Sequence, residues 1–271
     1  NPIVKKSLTD HFQPKTAWEN WIFLTHDCNL DCSYCFENKN KSKRKWDVNE
    51  LIDFFSWQSE RRDREYFQEN SKIIFYGGEP LLEQRLMEEI IRKTNNPSFD
   101  FGLQTNGTLL NKVDDYILNK LSLISVSIDG SKETHDKNRF FKTGEGSYDI
   151  IINNTSQIRR RYNGRILARM TIPITPGYDF FKEMKSIIDT GLFTDYYWQL
   201  ETPICREITE KDLQVFLKNY KSSIKNVASF WVDNLKRGNI INIIPFETSV
   251  QKIIFEELVK DLRDSDLYTI K

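Results

Sequence analysis

No stretch of about 18 apolar residues occurs in this 271-residue chain, which removes a membrane-spanning helix. Neither charge is in excess. Lys plus Arg and Asp plus Glu number 39 each, so nucleic acid and anionic membranes are not the expected partners. Low-complexity segments are missing, as are internal repeats of roughly 20–50 residues. No apolar run follows Asn1-Pro2-Ile3-Val4-Lys5-Lys6, so no signal peptide is expected. Cysteine is scarce, four in all, and three of these are clustered. That usage fits a reducing compartment and a cytoplasmic location. What remains, at 39% hydrophobic and 13% aromatic residues, has the composition of a globular protein long enough to bury a full core.

The clustered cysteines, Cys28, Cys32 and Cys35, are spaced Cys-x3-Cys-x2-Cys. Three thiolates on one loop can hold three irons of a cubane iron–sulfur cluster and leave the fourth iron open to a ligand. Two other chemistries compete for the loop. Structural zinc wants a fourth ligand and normally a second distant pair; no such pair exists, and His26 lies awkwardly close to Cys28. A disulfide between any two of the three would leave an odd thiol.

Strand and helix patterns alternate behind this loop. Trp21 to Thr25, Ile73 to Tyr76, Phe99 to Gln104, Leu123 to Ile128, Ile166 to Ile172 and Tyr196 to Leu200 read as six strands. Helical patterns follow Asp47-Val48-Asn49-Glu50, span Leu82 to Ile91, Leu109 to Leu121, Ser147 to Arg160 and Phe180 to Thr190, and lie between the strands. This predicts an α/β fold, a partial (β/α)6 TIM-type barrel. Beyond it, Thr209-Glu210-Lys211-Asp212 opens a long helix, and a final helix is expected around Val250 to Leu262 after Pro245. The expected organisation is an N-terminal segment 1–17, a barrel 18–204 and a C-terminal helical extension 205–271. The basic run Lys39 to Lys45 reads as a solvated turn or, less well, as a contact for an acidic substrate.

In a parallel barrel the loops after the strands converge on one face. Gly77-Gly78-Glu79-Pro80 follows the second strand; its glycines would let a ligand near the backbone, and Glu79 is an acceptor for an ammonium group. Gln104-Thr105-Asn106-Gly107 follows the third. In the fourth, Ser125, Ser127 and Asp129 alternate with Ile124, Val126 and Ile128, which turns the polar trio inward. Arg169 and Thr171 do the same in the fifth, with Arg169 matched to a ligand carboxylate or paired with Asp129 or Glu201. The sixth presents Tyr197, Gln199 and Glu201. His135, Asp136 and Arg139 follow the fourth strand as supporting or capping groups.

This series resembles the radical S-adenosylmethionine (radical SAM) superfamily, through Cys28, Cys32, Tyr34 and Cys35 and the ordered motifs at 77–80, 104–107, 127–130 and 135–139. Within it, the chain is similar to anaerobic sulfatase-maturating enzymes and peptide maturases from about Trp18 to Glu201. The resemblance implies a 4Fe-4S cluster on Cys28, Cys32 and Cys35 that binds S-adenosyl-L-methionine. It also implies reductive cleavage to a 5′-deoxyadenosyl radical that abstracts hydrogen from a peptide or protein substrate. Crosslinking, epimerisation or side-chain oxidation would be the outcome, with a flavodoxin or ferredoxin as electron donor. A small metabolite or RNA is the rival substrate, and a non-catalytic iron–sulfur or zinc sensor the rival class. Implied cofactor contacts are Tyr34, Phe36, Gly77, Gly78, Glu79, Pro80, Thr105, Asn106, Ser127, Asp129, Arg139 and Arg169. Cys205, Tyr197 and Glu201 are the candidates for a hydrogen or proton donor. One departure stands out: only Cys205 lies past the barrel, too few thiols for the auxiliary-cluster domain common in the subgroup. Substrate recognition is then expected from the barrel rim, the basic loop or the extension.

Overall fold

A computed structural model describes residues 18–37, 46–60, 70–94, 96–202, 207–250 and 252–253. Its sheet has seven strands: β1 (Glu19–Phe23), β2 (Ser71–Tyr76), β3 (Phe99–Thr105), β4 (Leu121–Ser127), β5 (Arg165–Ile172), β6 (Asp195–Leu200) and β7 (Asn242–Ile243). Spatial order equals chain order and every pairing is parallel, so each connection is a crossover and β1 and β7 are the two edges. The α/β partial barrel thus has one strand more than its sequence pattern shows. β7 is two residues long, too short for an alternation to register.

The crossover helices are α1 (Val48–Glu60), α2 (Gln84–Thr94), α3 (Asp115–Leu118), α4 (Lys132–Asn138), α5 (Tyr148–Arg159), α6 (Phe180–Ile188) and α7 (Glu210–Lys236). One core lies between them and the sheet. Ile22 and Leu24, Ile73 and Phe75, Phe101 and Leu103, then Ile124, Val126 and Ile128 supply the strand side, and Phe55, Ile90, Ile151, Phe180 and Phe216 the helix side. Period two then leaves Tyr76, Gln104, Ser127 and Arg169 on the opposite, concave face.

Two helical expectations need correction. Leu109 to Leu121 is not one helix but a 3-10 turn (Leu110–Lys112) and the single-turn α3. Asp114 restarts the helix by accepting the Tyr116 N–H, and Leu121 already belongs to β4. Conversely, α4 formed where only a loop was expected: Lys-Glu-Thr-His-Asp-Lys-Asn buries only His135 and carries no apolar stripe to announce it. Pro245 stands inside the first turn of a helix beginning at 244, where its missing N–H costs nothing. Most of the expected helix from Val250 to Leu262 lies outside the described residues, as do the segment 1–17 and the basic run 39–45. Among the described residues no helix is long and apolar enough to cross a membrane.

Candidate active site at the cysteine loop

The cysteine loop leaves the end of β1 and is fastened on both flanks by backbone. Gly78 N–H donates to the Thr25 carbonyl (2.7 Å) and Glu79 N–H to that of Asp27 (2.8 Å). On the other side Asp31 N–H donates to Phe140 O (2.8 Å) and Ser33 N–H to Asn138 O (2.9 Å). This explains the two glycines in a way the sequence did not. A Cβ on Gly77 would stand 2.5 Å from the Thr25 oxygen, and one on Gly78 2.4 Å from that of Asp27, so they admit the cysteine loop itself.

Cys28, Cys32 and Cys35 are free thiols around one cavity, which Tyr34, Phe36, Gly77, Gly78, Thr105, Asn106, Ser127, Arg139 and Arg169 also line. Cys28 Sγ accepts from Leu30 N–H (3.4 Å) and Asn106 Nδ2 (3.7 Å), donors that favour a thiolate-type acceptor. Burial acts the other way and pushes Cys32 up to about 12, so its thiolate needs a nearby positive charge such as iron. Among the described residues no set of three His, Cys, Asp or Glu converges on a single-ion position. A cubane takes each thiolate at a different corner, and three thiols lining one cavity can supply three such corners.

Asp129 is the hub behind the cavity. Fully buried, it accepts from Arg139 Nε (2.9 Å), from Thr171 N–H (2.9 Å) and from the Tyr34 hydroxyl. Its own N–H donates to His135 Nδ1 (3.2 Å), and His135 Nε2 meets Ser147 Oγ at 3.0 Å. Ser147 Oγ in turn donates to the Arg139 carbonyl (2.7 Å), which closes the ring of contacts.

Several expected contacts sit elsewhere than anticipated. Glu79, Pro80 and Asp129 do not line the cavity. Glu79 is fully buried and accepts from Leu81 N–H (3.0 Å), Thr105 Oγ1 (2.7 Å) and Asn106 N–H (2.8 Å), so its carboxylate ties the β2 loop to the β3 loop instead of facing an ammonium group. Pro80 opens a 3-10 turn. Arg169 does not pair with Asp129 or Glu201: its Nη2 donates to Gln199 Oε1 (2.6 Å), and its guanidinium lies 5.1 Å from the Tyr197 ring. Tyr197 is outside the cavity lining, whereas buried Glu201 is within it and accepts from Ile174 N–H (2.6 Å). Cys205 lies outside the described residues.

The sequence reading missed Tyr76 and Glu37. Both line the cavity. Tyr76 could have been found as the last strand residue before Gly77-Gly78; Glu37 gave no signal. His26 lines the same cavity, with its Nδ1 3.4 Å from a Glu37 carboxylate oxygen and its ring packed on Phe23.

The model of the Radical SAM superfamily matches residues 22–189. A cysteine-type anaerobic sulfatase-maturating enzyme of Clostridium perfringens is 24% identical over 244 residues, 84% of this chain and 63% of the relative. The chain therefore spans less than two thirds of that relative's length. Native anSMEcpe with bound AdoMet and Kp18Cys peptide superposes with a TM-score of 0.71 at 23% identity, covering 89% of this chain and 67% of that one. Streptococcus suis SuiB bound to precursor peptide SuiA gives 0.60 at 12% identity, covering 88% and 51%. At these identities the structures establish the shared fold alone.

Proposed function

The chain belongs to the radical SAM superfamily, whose enzymes use a 4Fe-4S cluster and S-adenosylmethionine, and we propose that this one modifies a peptide or protein. The cluster and the sulfonium, when bound, supply one-electron hydrogen abstraction from an unactivated C–H bond; the protein supplies position and shelter. Cys28, Cys32 and Cys35 would hold the cluster. The backbone at Gly77 and Gly78 would face the amino group of S-adenosylmethionine, and Ser127 with Arg169 its carboxylate. Tyr34 and Phe36 would flank the adenine. Glu201, buried in the cavity wall, is the proton acceptor best placed for a reaction that releases a proton.

The observation that carries this reading is the convergence of three thiols, the glycine pair and Arg169 on one cavity in a sheet left open between β1 and β7. Among the described residues β1 and β7 are unclosed edges, which favours a chain segment entering from the side. The relatives named above include proteins described with bound peptides, which supports the same substrate class. Crosslinking, epimerisation and side-chain oxidation all begin with the same abstraction. A flavodoxin or ferredoxin would provide the electron.

The test is anaerobic reconstitution with iron and sulfide, then dithionite and S-adenosylmethionine, with 5′-deoxyadenosine read by chromatography. Small peptides encoded beside the gene are added next and their mass change followed. Formation of 5′-deoxyadenosine with no change in any peptide, but with turnover of a small metabolite, would overturn the peptide assignment.

A further inference from the structure

The concave face carries a strip of rings that the cofactor contacts leave unused. Because Ile22 of β1 and Leu24 just after it point into the core, Trp21 and Phe23 project from the other side of the strand. Trp21 meets Tyr76 edge-on with centroids 5.8 Å apart, and Phe23 meets the same ring edge-on at 5.4 Å. Tyr76 ends β2 and lines the cavity together with the three thiols. The rings therefore form one path from the edge of the sheet to the reaction centre.

Neither contact is stacked. An edge contact covers at most one face of one of its two rings; Phe23 is also packed by His26 (4.4 Å between centroids), so the flat apolar surface left over is chiefly that of Trp21. Trp21 is 48% exposed and lines a groove at the sheet edge with Trp46, Leu51 and Phe54, so it reaches the cavity only through its contact with Tyr76. Beyond Tyr76 the cavity carries polar groups: Arg169 on β5 and Gln199 on β6 are joined at 2.6 Å, and Glu201 follows just past the end of β6. Rings on one side and amide and guanidinium groups on the other match the two halves of a residue within a peptide. Its side chain would lie on the rings and its backbone amides would face Gln199.

We propose that Trp21, Phe23 and Tyr76 form a subsite for an aromatic side chain of the peptide substrate, an inference that rests on the peptide reading above. Trp46 fixes the rim of this subsite by donating its indole N–H to the Phe23 carbonyl (2.6 Å), which holds the edge strand from outside.

The experiment uses reconstituted holoenzyme saturated with S-adenosylmethionine, dialysed to equilibrium against acetyl-Ala-X-Ala-amide with X as Trp, Phe, Leu or Glu. The Trp and Phe peptides should bind about tenfold more tightly than the Glu peptide and about threefold more tightly than the Leu peptide. Trp21→Ala should reduce the Trp-over-Glu ratio to below about threefold, and Trp21→Phe should restore most of it. The readout is a ratio within one protein, so it does not depend on how much of a variant folds. Trp57→Ala, exposed on α1, should leave the ratio unchanged. Equal binding of all four peptides, a Leu peptide as tight as the Trp peptide, or an undiminished ratio in Trp21→Ala overturns the subsite alone. Binding of none of them, in a holoenzyme that does retain a small metabolite, overturns the peptide reading beneath it.

Discussion

Asp129 and Arg139 form an ion pair at 2.9 Å in which the carboxylate has no exposed surface. Arg139 spends its remaining reach on Thr171 Oγ1 (3.3 Å). Its charge is thus balanced inside the protein, although it lines the cavity. Arg169 faces the same cavity with an amide and a ring as its named partners, and burial lowers its pKa below the ordinary arginine value. A half-buried cation balanced only by neutral groups is the one that gains most from an incoming carboxylate.

Arg169→Gln should therefore raise the dissociation constant for S-adenosylmethionine by about 10–100-fold, measured by equilibrium dialysis of the reconstituted protein, with little change in melting temperature. Arg139→Gln should behave differently. It strands the Asp129 carboxylate in the interior and should cost on the order of 3–5 kcal/mol of stability, visible in urea unfolding before any ligand is added. A stable Arg139→Gln protein with the larger loss of affinity would reverse the assignment.

Tyr34 lies between Cys32 and Cys35, and its hydroxyl donates to Asp129, so the cysteine loop is moored to the end of β4 by one side chain. Tyr34→Phe removes only that donor. Stability of the metal-free protein should fall by about 1–3 kcal/mol, and iron should leave the cluster faster when a chelator is added, followed by absorbance. Asp129→Asn should exceed it on both measures, since it also removes the charge opposite Arg139. If the two variants lose iron at the wild-type rate, the mooring does not act on the cluster.

Much of this was legible in the chain. Alternation in β4 placed Ser127 on the concave side and Ile124, Val126 and Ile128 in the core. Cysteine spacing located the cavity, and turn residues after each strand located its rim. What stayed hidden depended on register between distant segments. Glu79 finds Thr105 and Asn106 only because β2 and β3 pair in one particular register, so an acid that looks available for a ligand is consumed within the protein. The run Trp21 to Leu24 is apolar on both faces, so nothing in it says that Ile22 and Leu24 enter the core while Trp21 and Phe23 turn away from it. Helix α4 is held by His135 and the contacts behind Asp129, a polar anchorage that no hydrophobic period reports.

Two buried titratable groups should give the metal-free protein an unusual pH profile. Burial pushes Glu79 up to about 7 from an ordinary 4.5, so the folded state holds its proton more firmly than the unfolded chain does. That stabilisation is complete below 4.5 and is lost as pH rises towards 7. Burial pulls His135 down to about 4 from 6.5, and protonating Nδ1 would also break its bond from the Asp129 N–H. This contribution is complete above 6.5 and is lost as pH falls towards 4. Each swing is worth about 3 kcal/mol, and across the shared window the two oppose one another. Relative to wild type, Glu79→Gln should therefore lose stability as pH drops from 6.5 to 4.5, and His135→Asn should gain it. Urea midpoints across that range check both signs, and parallel profiles for the two variants would show that the groups are not titrating as their burial requires.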